Sequence, residues 1–281
     1  MAVTCRVLVV GLILVLAPRI ATPQQATSLT REQMEAFLTK AKIIKESTTS
    51  KGVTRPVRAT LSDGVLTHDA QFQTVDQAKA VFDAGKASEI DFKDTYRYNI
   101  AGYRLAQLLG IDTVPMSVQR RYKGKDAAVT WWIDDVMFDE SGRLELGDAN
   151  MMGPDPQRTQ RQLHIMRVWD ELIQNRDRNR GNVLWTKDWT MWLIDHMRAF
   201  RTSTSLLKPD ELIRIERTLF DKMKQLTEQS ITQVMKGTLA RNEIRSVLRR
   251  RDALVQHFEK LIAQRGETAV LFTLSPTAAT Q

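Results

Sequence analysis

Asn-Arg-Asp-Arg-Asn-Arg-Gly-Asn-Val-Leu-Trp occupies residues 175–185, and Leu-Ile-Asp-His follows at residues 193–196. Asp177 and Asn182 stand on one polar loop with four residues between them, and Asp195 comes directly after an apolar run. Two apolar stretches separated by a polar turn lie between Asn182 and Asp195, which predicts a short hairpin. Because a hairpin folds back on itself, we expect Asn182 and Asp195 to converge on one site.

This order of side chains suits phosphoryl transfer, a reaction that depends on positioning and charge neutralisation. One Asp accepts or orients the proton of the nucleophile, an Asn ligates magnesium, and a second Asp bridges the metal to the nucleotide phosphates. Protein kinases place the first Asp and the Asn on one loop with four residues between them. Asp177 and Asn182 have the same spacing.

The pattern resembles that of the atypical kinases, which include the phosphatidylinositol 3/4-kinase-like, HipA-like, spore-coat CotH-like and secreted Golgi casein-kinase-like families. The matching residues are Asn175, Asp177, Arg178, Asn182, Ile194 and Asp195. The resemblance implies an α+β, bilobal kinase-like fold with a small β-rich N-lobe and a mainly helical C-lobe. It also implies Asp177 as the catalytic base, Asn182 and Asp195 as ligands of magnesium or manganese, and ATP as the phosphate donor. Residues 196–201 would begin the activation segment.

Two other interpretations of the loop stay open. Asp and Asn are common in turns, so the loop also fits a polar connection between a buried helix and a hairpin. The alternating Asp177, Asn179 and Gly181 suggest a calcium loop, but the EF-hand pattern needs Gly at its sixth position and Glu at its twelfth. Those positions hold Asn182 and Asp188. Three neighbouring arginines also oppose a bound cation, namely Arg176, Arg178 and Arg180.

The N-lobe departs from the kinase pattern where a Lys–Glu ion pair normally grips the nucleotide phosphates. In the families named above the strand commonly ends in Phe-Lys, whereas this chain has Phe72 followed by Gln73. The helix position that matches the glutamate holds Asn99, ahead of Ala101 and Tyr103. It is physically reasonable that both charges are lost together, because a buried charge that has lost its partner destabilises the protein. A hydrogen bond between Gln73 and Asn99 could replace the ion pair.

Basic residues nearby are candidates to supply the missing positive charge, although most Arg and Lys side chains serve only as surface charge. Arg58 lies on the preceding predicted strand, and Lys51 lies on a candidate phosphate loop at residues 47–52. Arg97 stands in the predicted helix just before Asn99. We therefore predict that the nucleotide-binding residues are Lys51, Gly52, Arg58, Gln73 and Asn99.

Hydrophobic periodicity predicts the other elements. A capping box of Thr30 and Gln33 begins the first helix. Hairpins are predicted within 57–73, 117–133 and 183–194. Helices are predicted at Thr30–Ile43, Asp94–Leu109, Thr159–Asn175, Pro209–Lys224 and Asn242–Gln264.

The first residues differ in composition from the rest. Arg6 precedes an apolar run at residues 7–16, which is too short to span a bilayer and has the length of a signal-peptide core. We therefore predict a signal peptide at residues 1–26 and export to the periplasm or the extracellular space; an uncleaved membrane anchor is the alternative. Cys5 is the only cysteine and precedes the apolar run. The processed protein would then have no disulfide, cysteine nucleophile or thiolate metal site.

Length and composition fit two joined lobes. We predict an N-lobe at 27–140, a turn-rich connection at 141–156, a helical C-lobe at 157–266 and a partly disordered tail at 267–281. The formal net charge is +8, but the basic residues are spread along the chain, so no nucleic-acid partner is expected. No stable transmembrane segment is expected after processing.

Three functions are compatible with these features. The first is an exported phosphotransferase that moves a phosphoryl group from a nucleotide to the hydroxyl of a protein, lipid or small molecule. The second is a pseudokinase that binds nucleotide or a partner without turnover. The third is an interaction protein that has only the fold. Asp177, Asn182 and Asp195 favour the first, whereas Gln73 and Asn99 favour the second.

Overall fold

A computed structural model describes residues 29–48, 56–83 and 88–274. Its α-helices are α1 Arg31–Lys40, α2 Arg97–Leu109, α3 Glu140–Glu145, α4 Pro156–Ile173, α5 Arg217–Gln225, α6 Glu228–Val234, α7 Arg241–Arg265 and α8 Glu267–Val270. Its strands are β1 Lys42–Thr48, β2 Val57–Ser62, β3 Thr67–Gln73, β4 Asp76–Asp83, β5 Ser88–Thr95, β6 Ser117–Tyr122, β7 Lys125–Trp131, β8 Val136–Asp139, β9 Val183–Thr186, β10 Met191–Leu193, β11 Ile215–Glu216 and β12 Leu271–Phe272. Strands dominate the first half and helices the second, which confirms the predicted α+β order of a β-rich N-lobe followed by a mainly helical C-lobe.

A five-stranded antiparallel sheet forms the body of the N-lobe, with the strand order β1-β2-β3-β7-β6. Helix α1 packs on one face of this sheet, where Phe37 meets Trp131 with ring centroids 5.8 Å apart. The alternation of β2 and β3 therefore buries one set of side chains under α1 and directs the other set to the opposite face. That opposite face is polar and carries Arg58, Asp69 and Gln73.

The predicted capping box of α1 is present, because the Gln33 N–H donates to Thr30 Oγ1 at 3.3 Å and the Thr30 N–H donates to Gln33 Oε1 at 2.8 Å. The prediction that this helix continues to Ile43 is wrong. The helix ends at Lys40, and Ile43 pairs with Leu61 in the sheet. Adjacent β-branched isoleucines favour a strand, and the neighbouring strand β2 supplies the pairing.

A second hairpin, β4–β5, lies between β3 and α2 and was not predicted from the sequence. Because Asp94 and Thr95 pair with β4, the predicted helix start at Asp94 is wrong, and α2 begins at Arg97. The helix ends at Gly110 as its glycine predicts, since this residue adopts a φ of +73°. The hairpin therefore places Asp94 at the end of a strand instead of in a first helical turn.

After Trp131 the chain leaves the N-lobe sheet, and β8 pairs with β9 in a three-stranded sheet of order β10-β9-β8. The predicted hairpin after Asn182 is confirmed by the pairing of Val183 with Leu193. Helices α2, α4, α5 and α7 enclose the larger core, whose bulkiest fully buried side chains include Trp169, Trp185, Phe200 and Phe258. Helix α3 begins at Glu140, one residue before the predicted connection at 141–156, and the division of the chain there stays a prediction.

One further prediction in the second half needs correction. The helix predicted at Pro209–Lys224 begins only at Arg217, because Glu216 caps α5 by accepting the Leu219 N–H at 2.7 Å. Within the predicted tail, the short helix α8 is followed by β12, which pairs in parallel with β11. Among the helices within 29–48, 56–83 and 88–274, none combines the length and the apolar character needed to cross a membrane.

His164 is a buried titratable group in α4 and makes stability depend on pH. Its side chain is almost fully enclosed, with 4% exposure, and desolvation lowers its pKa to about 4, with Arg167 and Arg214 adding to the effect. In the unfolded chain the imidazole titrates near its ordinary pKa of about 6.5. Between about pH 6.5 and pH 4 the unfolded chain binds a proton at this imidazole, whereas the folded protein does not. The contribution of His164 to the free energy of unfolding is therefore fully present above about pH 6.5 and is lost as the pH falls toward 4.

Acidification from pH 7 to pH 4.5 is therefore expected to cost roughly 2 kcal/mol through His164. The measurement is the free energy of unfolding by urea at several pH values, in the wild type and in His164→Gln. The variant cannot take up the proton, so its decline over this pH range should be shallower. Parallel pH profiles in the two proteins would show that His164 titrates normally in the folded state.

Candidate active site

Asn182 and Asp195 lie next to each other at the open end of the β9–β10 hairpin. The Ile194 N–H donates to the Asn182 carbonyl at 3.1 Å, which extends the pairing of the two strands by one residue. The Asn182 side-chain N–H₂ donates to the Asp177 carbonyl at 3.4 Å and leaves the amide oxygen for another partner. The hairpin thus brings the two predicted metal ligands together as expected.

Asp195 adopts a left-handed backbone conformation with a φ of +54°. A non-glycine residue in this region is uncommon and is a recurrent feature of functional sites. The carboxylate is open to solvent on one side, while the protein atoms beneath it partly desolvate it. This desolvation raises the pKa of Asp195, and the negative charge of Asp177 adds to the rise against the opposing Met197 N–H, Arg178 and Arg198. A cation at this position would offset the repulsion.

Asp177 is fixed on its loop by the asparagines around it. The Asp177 N–H donates to Asn175 Oδ1 at 3.1 Å, and the Asp177 carbonyl accepts the Asn179 N–H at 2.7 Å. Its carboxylate is half-exposed and faces Arg198, whose Nη1 lies 3.5 Å from Asp177 Oδ1. The predicted base therefore lies near Asp195, and its negative charge contributes to the raised pKa of Asp195.

Arg178 connects the loop, the hairpin and helix α4. Its Nε lies 3.1 Å from Asp170 Oδ2, its Nη2 lies 3.0 Å from Asp170 Oδ1, and only 9% of its side chain is exposed. Its Nη1 donates to the carbonyls of Asn182 at 3.0 Å and Ile194 at 2.7 Å. One guanidinium thus sets the positions of both predicted metal ligands through their backbone. Although Arg178 matched the sequence pattern, this positioning role became visible only in the structure.

His196 and Asn99 hold the chain directly after Asp195. The His196 N–H donates to Asn99 Oδ1 at 2.8 Å, and His196 Nε2 accepts from Trp169 Nε1 at 3.1 Å. Burial lowers the pKa of His196 well below its usual range, so the ring is neutral at physiological pH. The ring rests on α2 at Gly102, where an added Cβ would lie 3.2 Å from His196 Cγ. Asn99 therefore holds the segment that directly follows Asp195, although the two bonded residues are 97 positions apart in the sequence.

Gln73 is buried at the end of β3, where its Oε1 accepts the N–H groups of Thr74 at 3.0 Å and Val75 at 3.1 Å. The side-chain oxygens of Gln73 and Asn99 thus each accept hydrogen bonds from backbone N–H groups. No charge has replaced the missing lysine at this position of the strand. The other two predicted nucleotide-binding residues of the loop, Lys51 and Gly52, lie outside the described residues.

Arg58 lies on β2, the strand predicted for it, and on the polar face of the sheet, but its guanidinium already has partners. Its Nη2 lies 2.5 Å from Asp69 Oδ2, and its Cζ lies 4.2 Å from the ring centroid of Trp132. The ion pair neutralises the charge, and the indole covers one face of the guanidinium. Arg58 therefore contributes little net positive charge to a phosphate from this position.

Asp94 and Arg198 belong to the site and were missed from the sequence as functional candidates. Asp94 Oδ1 is buried and finds no hydrogen-bond donor among the described residues. Desolvation and the nearby Asp195 raise the pKa of Asp94, and Arg198 opposes the rise. No sequence signal connects Asp94 with a residue a hundred positions later. In the described ranges no three His, Cys, Asp or Glu side chains are close enough to share a metal ion, so the metal assignment rests on Asn182 and Asp195.

Comparison with known proteins identifies the type of fold. No protein-family model matches the chain, and no curated protein matches its sequence. Solved structures do match. Hydra Fam20, determined with a sugar, shares 14% identity at a TM-score of 0.63, over 86% of this chain and 92% of the other. A Golgi casein kinase shares 15% identity at a TM-score of 0.63, over 88% of this chain and 78% of the other.

A third match is CtkA, a proinflammatory kinase of Helicobacter pylori, with 12% identity and a TM-score of 0.53 over 80% of this chain and 98% of the other. Two of these three neighbours are named as kinases. Identities this low establish the fold alone. The chain therefore has an atypical kinase-like fold, as the resemblance of the loop and hairpin implied.

Proposed function

We propose that this chain is a kinase-like phosphotransferase that moves the terminal phosphoryl group of ATP to a hydroxyl acceptor, with a magnesium or manganese ion at Asn182 and Asp195. The observation that carries the proposal is the guanidinium of Arg178, which bonds the carbonyls of Asn182 and Ile194 at 3.0 and 2.7 Å and so fixes the two ligands side by side. The kinase-like neighbours support nucleotide use in general.

The donor set fits the proposed ion. Asn182 offers an amide oxygen and Asp195 a carboxylate, and hard cations such as Mg²⁺ prefer oxygen ligands. Such an ion would neutralise phosphate charge. Asp177, on the same loop as Asn182, is placed to orient the acceptor hydroxyl and take its proton. Asn99 and His196 keep the segment after Asp195 in place, which preserves this geometry.

We also propose that the protein acts after export, in the periplasm or outside the cell. The apolar run at residues 7–16, preceded by Arg6, supports a signal peptide, and the predicted absence of cysteine from the processed chain suits either compartment. The acceptor remains open among proteins, lipids and small molecules that carry a hydroxyl group.

A pseudokinase is the second candidate, and the state of Gln73 favours it. The residue that would grip the phosphates is neutral, buried and bonded to the backbone of Thr74 and Val75. A pseudokinase of this kind would bind nucleotide without turnover. Nucleotide binding and turnover are therefore measured separately.

Metal-dependent nucleotide binding is the first expected result. With Mn²⁺ or Mg²⁺, ATP at about a hundred times its dissociation constant should raise the melting temperature by about 5 °C, because the ligand binds only the folded state. Asp195→Asn should abolish the metal-dependent part of the rise. Asp148→Asn makes the same chemical change at an exposed position and should leave the rise intact.

The melting experiment separates the candidate functions. A rise that needs metal and Asp195 supports nucleotide binding in the proposed site. A rise without metal dependence removes Asn182 and Asp195 from the binding site and favours the pseudokinase. No rise at millimolar ATP contradicts both nucleotide-binding functions and leaves an interaction role for the fold.

A further inference from the structure

Three cations of the N-lobe near the site are each paired with a carboxylate. Pairing of this kind cancels most of the charge that a phosphate would otherwise meet. The pairs are Arg58 with Asp69 at 2.5 Å, Arg97 with Asp76 at 3.1 Å, and Lys93 with Glu243 at 2.5 Å. Gln73 is neutral and these three cations are already paired, so another cation among the described residues is the better candidate to supply positive charge to a bound nucleotide.

Arg198 lies at the centre of the site, three residues after Asp195. Its Nη1 is 3.5 Å from Asp177 Oδ1, and 32% of its side chain is exposed. Its Cζ lies 5.1 Å from the ring centroid of Phe92 on β5. The guanidinium is therefore placed between the proposed base and the inserted hairpin of the N-lobe.

Buried contacts hold the backbone that carries Arg198. Arg201 Nε donates to the Arg198 carbonyl at 3.1 Å, and its own Cζ lies 5.6 Å from the ring of Phe92. Arg250, which is fully buried, donates to the carbonyls of Leu172 at 2.8 Å and Arg201 at 2.8 Å. These contacts fix the backbone from which the Arg198 side chain extends toward Asp177.

The charge of Arg198 acts on three carboxylates of the site. It opposes the rise in the pKa of Asp94 and that of Asp195, and it contacts Asp177 directly. A nucleotide triphosphate would add further negative charge to the same region. In this environment a guanidinium is favoured over an ammonium, because its planar fork can bond two phosphate oxygens.

We propose that Arg198 binds the terminal phosphate of the nucleotide and takes over the role that neutral Gln73 cannot fill. The inference rests on the proposed function, in which the terminal phosphoryl group lies between the metal at Asn182 and Asp195 and the base Asp177. Arg198 already borders that position. Its guanidinium forms an ion pair with Asp177, and a bound phosphate would draw it away. Asp177 would then be released to accept the proton of the acceptor hydroxyl.

The test compares dissociation constants of ATP and ADP in the presence of Mn²⁺, measured by isothermal titration calorimetry. Arg198→Gln should weaken ATP binding by about tenfold or more, because it removes a charge-assisted hydrogen bond to the terminal phosphate. Binding of ADP, which lacks that phosphate, should change by less than about twofold on the same reasoning. Arg198→Lys keeps the positive charge but lacks the planar guanidinium, so its affinity for ATP should lie between those of the wild type and Arg198→Gln. Arg249→Gln removes an equal charge from an exposed position on α7 and should change neither constant.

The outcomes are distinguishable. Selective loss of ATP affinity in Arg198→Gln, with ADP affinity retained, supports the inference and also shows that the variant is folded. Equal weakening of both nucleotides, or no weakening of either, overturns the role of Arg198 while leaving the proposed function in place. A wild-type protein that binds neither nucleotide overturns the proposed function and the inference together.

Discussion

Phosphoryl transfer by Asp177→Asn is expected to be about 10²–10⁴-fold slower than by the wild type, which is the range that a positioned general base contributes. Asparagine has nearly the same shape and can still accept a hydrogen bond from Arg198, but it cannot take a proton at neutral pH. Because Asp177 is half-exposed, its replacement should change the melting temperature little. The loss would therefore report on chemistry more than on folding.

Turnover can be followed without knowledge of the acceptor, as the release of ADP from ATP in the presence of Mn²⁺. Dissociation constants for ATP are measured on the same preparations. Asp148→Asn, at an exposed position, serves as the matched control and should keep the wild-type rate. An Asp177→Asn variant as fast as the wild type would remove Asp177 from the mechanism. A wild type that binds ATP without releasing ADP, even with candidate acceptors present, would favour the pseudokinase.

The second large effect is expected from Arg178→Met, which should lower the free energy of unfolding by about 3–5 kcal/mol. The side chain is 9% exposed and its partner Asp170 is 15% exposed. Removal of the guanidinium leaves Asp170 as a buried carboxylate without its cation. It also releases the carbonyls of Asn182 and Ile194. Metal-dependent nucleotide binding should weaken in the same variant, because the two ligands lose their common support.

The double variant Arg178→Met/Asp170→Leu is the informative control. Replacing both charges by apolar groups removes the uncompensated carboxylate, so at least half of the lost stability should return. Nucleotide binding should stay weak, since the carbonyls of Asn182 and Ile194 are still unsupported. Urea unfolding provides the stabilities. A cost below about 1 kcal/mol for the single variant would contradict a structural role for the Arg178–Asp170 pair.

Local features were predictable wherever neighbouring residues supply the interactions. The capping box of Thr30 and Gln33 forms within one helical turn, and the hairpin after Asn182 closes over a few residues. Gly110 ends α2 because its left-handed conformation is easily adopted by glycine. In each case the signal and its consequence lie in the same short segment. The fold class followed from these elements and from the order in which they occur.

The errors occurred where pairing between separate segments outweighed local preference. Asp94 looked like the beginning of a helix, but pairing of β5 with β4 placed it in a strand. Local preference placed Ile43 in a helix, but Ile43 pairs with Leu61 and so belongs to the sheet. Residues 209–216 looked continuous with the following helix, although Glu216 caps that helix. Such contacts depend on the position of the partner strand or on side-chain geometry, which periodicity does not encode.

The loop and hairpin that carry Asp177, Asn182 and Asp195 could be predicted from the sequence, because their spacing and turns are local properties of the chain. How these residues are supported and charged depends instead on contacts between distant segments. Asn99 reaches the His196 N–H across 97 residues, and Arg198 meets Asp177 where the segment after Asp195 crosses the cleft. Contacts of this kind arise when two lobes pack together, and the charge of a side chain there depends on which partner the packing brings within a few ångströms.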